Sequence, residues 1–215
     1  MNDLPPALMK MLSTSWSRCW HALDAESDGA ALMRQLLAAY QEPQRKYHTL
    51  QHLTECLAML QEHLELAEQP GEVEMALWFH DAVYDVKASD NEQKSADWAS
   101  RSLAEAGVAQ AHIDGVVQLI MATCHSALPQ GRDQQLLVDV DLSILGSPRA
   151  RFVEYERQIA EEYSWVPEIF FRQKRGAVLE EFIARRPIYS TAALQQKLER
   201  QAQDNLAFSL ERLAG

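Results

Sequence analysis

Apolar residues recur at intervals of three and four along nearly the whole chain, the spacing of amphipathic helices. No stretch of strict alternation is bounded by turn residues on both sides, so the pattern offers no convincing strand. It predicts helices over 6–23, 29–41, 48–67, 72–85, 91–106, 111–126, 136–145, 149–164, 168–185 and 191–213. The breaks have local causes. Pro43 ends one helix, Gln69-Pro70-Gly71 separates two others, and Gly107 suits a left-handed residue after a helix C-terminus. Gly146-Ser147-Pro148 stops another helix, and Pro187 with Ser190-Thr191 sets up the last, with Thr191 as its N-cap. No internal repeat, low-complexity tract or linker interrupts the series, which reads as one all-α domain.

One segment departs from amphipathicity. Glu74 to Tyr84 is apolar nearly all round, which belongs at the centre of a fold, and the pattern places His80 and Asp81 in the middle of that helix. A carboxylate buried there is costly unless it is paired or binds a metal. The dipeptide alone leaves two readings open: part of a metal site, or a helical His beside a capping or ion-paired Asp. Upstream, His48 and His52 fall four residues apart on a predicted helix, where they would stack on one face. That spacing serves joint metal ligation, a ligand beside a proton donor, or simply two exposed histidines on a first helical turn. Downstream, Asp139 and Asp141 lie inside another apolar stretch, where a buried one again needs a cation.

Charge and cysteine usage narrow the class. The 215 residues carry 20 Lys and Arg against 31 Asp and Glu, a net charge of −11 that disfavours binding to long nucleic acids. A small phosphorylated ligand held by a few local cations remains compatible with that balance. Cys19, Cys56 and Cys124 are odd in number and lack C-x-x-C spacing, which suggests buried thiols in a reducing compartment. The N-terminus has an early acid and two prolines but no apolar core of a signal peptide, and no apolar run is long enough to span a membrane. The expectation is a cytoplasmic protein without membrane partners.

The order H…HD…D on successive helices resembles the HD-domain superfamily of metal-dependent phosphohydrolases, and within it a bacterial family of predicted phosphohydrolases. The resemblance runs over about residues 28–212 and rests on several stretches. These are R-x-Y-H-x-x-x-H from Arg45 to His52, A-L-W-F-H-D-A-V-Y-D from Ala76 to Asp85, and N-E-x-x-S-A from Asn91 to Ala96. The segment ending at His125, D-x-D-L-S-I-L-G from Asp139 to Gly146, E-Y-x-x-V-P and I-Y-S-T also fit. Ala160 and Gln203 stand where the family pattern has arginines.

The resemblance implies a single all-α HD-type domain of about eight to ten helices over residues 1–215. Its metal motifs would lie within 45–146, with the C-terminal helices of 149–213 packed on them. It assigns His52, His80, Asp81 and Asp141 as metal ligands. Tyr47-His48 followed by His52 is also similar to the Y-H-N-x-x-H motif of cyclic-nucleotide phosphodiesterases, which implies His48 as the general acid. Two His and two Asp suit a divalent transition metal such as Mn, Fe, Co, Ni or Zn. The implied reaction is hydrolysis of a small phosphorylated metabolite or nucleotide by metal-activated water. The alternatives are an HD-type diiron oxygenase and a non-catalytic metal- or nucleotide-binding module.

Further candidates surround this set. Glu92 reads as a general base or as the end of a Ser89-x-x-Glu92 capping box. Asp85 reads as an outer-sphere or surface residue, and His125 as a contact to phosphate or a second metal. Arg45 and Lys94 are candidate anion contacts or ordinary solvated cations. The five tryptophans, Trp165 among them, read as core residues on helices.

Overall fold

The computed structural model describes residues 4–124 and 127–214, and it is all-α, with no strand among the described residues. Its helices are α1 (Pro6–Ala22), α2 (Ala30–Ala39), α3 (Leu50–His63), α4 (Pro70–Phe79), α5 (Asn91–Glu105) and α6 (Gln110–Ala122). They are followed by α7 (Gly131–Asp141), α8 (Arg149–Glu162), α9 (Glu168–Ala184) and α10 (Ala192–Ala214). Single 3-10 segments cover Leu64–Leu66 and Leu142–Gly146. None of the described helices is long and apolar enough to cross a membrane. By internal packing the chain divides into two compact units, Met1–Val138 and Asp139–Gly215.

In the first unit α4 is the hub. Every residue from Val73 to Phe79 is buried, and the helix packs on α1, α3, α5 and α6. An apolar surface on all sides thus becomes a helix walled on all sides. Pro70 occupies its first turn, where the missing N–H costs nothing. At Gly71 a side-chain methyl would lie 2.6 Å from the Ala22 Cβ, so glycine lets α4 abut the end of α1. Gly107 adopts φ +74° beyond α5, as its position suggests. One carboxylate is fully embedded in this hub. Glu74 accepts from Ser15 Oγ (2.6 Å), Arg18 Nε (2.8 Å) and Arg18 Nη2, while Trp78 Nε1 donates to Ser15 Oγ (3.1 Å).

The second unit is organised by α10, which packs on α9 and on the Leu142–Gly146 segment. The sequence predicts an α-helix over 136–145, yet α7 begins at Gly131 and gives way to 3-10 geometry after Asp141. Side chains of the same unit take the carbonyls there: Tyr189 OH donates to Leu142 O (3.1 Å) and Asn205 Nδ2 to Leu145 O (2.7 Å). Donors from outside thereby replace the next helical turn. Asp139 is buried and accepts from Ser190 N (2.8 Å), Thr191 N (2.6 Å) and Thr191 Oγ1 (2.7 Å), bracing the start of α10. Trp165 is a correction to the core reading: it is 51% exposed, just before α9.

Candidate metal site

The first unit brings His52, His80 and Asp81 together. His52 lies in the first turn of α3, which Thr49 caps by accepting from Gln51 N (3.3 Å). His48 therefore precedes α3 instead of sitting on it, which corrects the helix predicted over 48–67. The two rings still lie 5.9 Å apart, edge to face. His48 also stacks on Tyr84 at 4.2 Å with 27° between planes, and Tyr47 contacts both histidines.

His80 and Asp81 are not mid-helix, as the 72–85 pattern predicts. The helix ends at Phe79, with His80 as its C-cap and Asp81 in the following turn. Competition for backbone groups explains the stop. His80 Nδ1 donates to Leu77 O (2.7 Å), Asp81 N turns to Tyr40 OH (3.3 Å), and Ala82 N bonds to Phe79 O (2.9 Å). Arg45 then closes the end, donating to the carbonyls of Asp81 and Ala82 and, at 3.3 Å, to that of His48. A carbonyl only accepts, so His80 Nδ1 carries a proton and Nε2 is the nitrogen turned toward Asp81 and His52.

The freed turn swings the carboxylate beside both imidazoles. Asp81 Oδ2 is 3.1 Å from His80 Nε2 and 3.4 Å from His52 Nε2, and the two nitrogens are 3.1 Å apart. Ligands at about 2.0–2.2 Å from one ion, at ~90–110° to each other, lie roughly 2.9–3.5 Å apart. The three atoms satisfy that condition. Both histidines are buried, and the Asp81 side chain is 17% exposed. Burial pushes the Asp81 carboxyl up, but the His80 and His48 charges and hydrogen bonds from His52 and His80 outweigh it and hold it well below the usual range.

Cys56, one turn after His52, is a site residue that spacing did not single out. Its Sγ is 3.7 Å from His52 Nδ1, and His52, Cys56 and His80 each offer a ligand atom within 4.8 Å of the others. The i,i+4 relation to His52 was its available signal. Tyr40 was also missed, since nothing in its local sequence marks it, and Tyr84 was given no role although it lies in the stretch from Ala76 to Asp85.

Asp141 is the half-buried last residue of α7 and falls in the second unit. Arg45 is no solvated cation: it is buried, with its guanidinium spent on carbonyls and, at 3.0 Å, on Glu42. Asp85 is exposed, accepts from Lys87 N (2.9 Å) and frames the turn before α5. Lys94 is exposed and pairs with Asp90 at 2.7 Å. The Ser89 capping box does not form, because Asp90 is the N-cap and makes no side-chain cap bond. Glu92 stands instead by the Cys124 thiol, whose titration is pushed up by burial first and by Glu92 next. His125 lies outside the described residues. A cleft of about 520 Å³ adjoins the Asp81 turn, walled by Glu42, Arg45, Tyr84, Asp85 and Trp98 among others.

Comparison of the chain with protein-family models, curated proteins and solved structures gives no significant match.

Proposed function

We propose that this protein is a metal-dependent phosphohydrolase acting on a small phosphorylated metabolite or nucleotide. The observation that carries the reading is the spacing of His52 Nε2, His80 Nε2 and Asp81 Oδ2, all within 3.4 Å of one another. Two imidazoles and a carboxylate suit Mn, Fe, Co, Ni or Zn better than an all-oxygen ion. The HD resemblance adds Asp141 as a further ligand, and it fits that Asp139 is already committed to Ser190 and Thr191. A divalent ion held there supplies positive charge for a phosphoryl oxygen and lowers the pKa of water.

The chain's own residues supply the rest. His80 Nδ1 on Leu77 O fixes the ring that faces the ion. His48 is half-buried, stacked on Tyr84 and one ring away from His52, a position from which it gives a proton to the leaving oxygen. The 520 Å³ cleft is the size of a small-molecule site, and the net charge of −11 favours small phosphate esters over polyanions.

The test is metal analysis of protein purified without added metal, followed by phosphate release from nucleotides, sugar phosphates and cyclic nucleotides with each divalent ion. Metal-dependent release from at least one substrate is expected. Bound metal with no release across the panel removes the phosphohydrolase, and no metal uptake at all removes the site.

A further inference from the structure

Among the described residues, four of the five large apolar side chains that stand exposed lie in one short stretch of the second unit: Trp165 (51%), Ile169 (73%), Phe170 (56%) and Val178 (39%). Three of them are on α9, a helix of 17 residues whose buried side is reduced to Leu179. At ~100° per residue, Phe170, Lys174, Ala177, Glu181 and Ala184 fall on the face opposite Leu179, with Gln173 and Glu180 along one of its edges. All seven are exposed. Phe170, Ala177 and Ala184 recur every seven residues along its midline, the repeat of a helix that packs on another helix.

We propose that this face of α9 pairs with the same face of a second copy of the chain, antiparallel about a two-fold axis at Ala177. Charge selects that occupant. The N-terminal half of the face carries Lys174 and the C-terminal half carries Glu180 and Glu181. An antiparallel copy sets plus against minus, and a parallel one sets like against like. The register is self-consistent on both flanks. With the axis at Ala177, Lys174 meets Glu181 of the second copy along one edge, and Gln173 meets Glu180 along the other. On the midline Phe170 covers Ala184, and Ala177 faces Ala177, where small side chains let the helices approach closely. Every pair off the axis occurs twice, as a two-fold interface requires. The cations that α9 uses within its own chain are Arg172, at 3.9 Å from Glu168, and Arg175, bonded to Glu156 and Tyr155. Lys174 and Glu181 are exposed and available.

Sedimentation equilibrium of the full chain over a concentration series is the experiment, with Ala177→Glu, Lys174→Glu, Glu181→Lys and the Lys174→Glu/Glu181→Lys double variant. Wild type is expected at twice the chain mass, dissociating on dilution. Ala177→Glu puts two carboxylates face to face on the axis and should be monomeric. Each single charge reversal should weaken association at least tenfold, and the double variant should recover it. Circular dichroism of the monomeric variants should remain that of wild type, since all these positions are on the surface. A wild type that stays monomeric throughout, or a double variant no better than its parents, overturns the proposal.

Discussion

Helix α4 and the turn that follows it hold two carboxylate clusters, around Glu74 and Asp81, and they are opposite in kind. Glu74 is closed: a guanidinium gives two hydrogen bonds and a serine hydroxyl a third, so charge and lone pairs are met from within the chain. At the other end Asp81 faces two imidazole nitrogens across gaps of 3.1 and 3.4 Å. Its partners are the rings of His52 and His80, groups that also serve as metal ligands. A buried acid is thus not by itself a sign of a site. The sign is a buried acid whose partners are also donors of electron pairs.

The largest effect should come from emptying the open cluster. Asp81→Ala and His52→Ala are expected to abolish metal uptake, measured by elemental analysis after dialysis, while the metal-free proteins still fold. If both variants bind metal like wild type, the contrast between the two ends disappears. Next comes His48→Ala, which should keep its metal and lose about 10²–10⁴ in phosphate-release rate, the usual cost of a missing general acid. Equal metal loss in His48→Ala would move it into the ligand set.

The closed cluster should respond in the other currency. Arg18→Ala leaves Glu74 buried without its cation, so denaturant melts should show a loss of about 3 kcal/mol, with metal affinity untouched. A smaller effect belongs to Tyr40→Phe, which removes the hydroxyl that holds Asp81 N. Metal affinity should drop roughly 10-fold, the low end for a residue that orients a ligand from behind. Smallest is Thr49→Ala, which removes the α3 cap and should cost about 1 kcal/mol in the same melts.

Much of this contrast was legible along the chain. An apolar segment on every face identified α4 as the hub, and the His and Asp types marked His80 and Asp81, placed mid-helix, as candidate chemistry. The end itself was not legible. Ala82, Val83 and Tyr84 continue the helical pattern, and the groups that stop the helix, Tyr40 and Arg45, arrive from 36 or more residues away. For the same reason Arg45 reads as a solvated cation until its carbonyl partners are seen. The nearness of His48 to His52 was anticipated, although a Thr49 cap and the Tyr84 ring produce it rather than a shared helix face. Trp165 fails differently: periodicity shows which residues share a stripe, but not whether the stripe is covered.

The guanidinium of Arg45 reaches carbonyls on two separate segments, His48 on one side and Asp81 and Ala82 on the other. It is a latch common to both, so neither segment can lift away while the other stays in place. Backbone amides around residues 47–50 and 80–83 should therefore share a single opening event in hydrogen exchange, with matched protection. The His48 ring and the Asp81 carboxylate would then be lost and regained together, which keeps the protein from presenting one without the other.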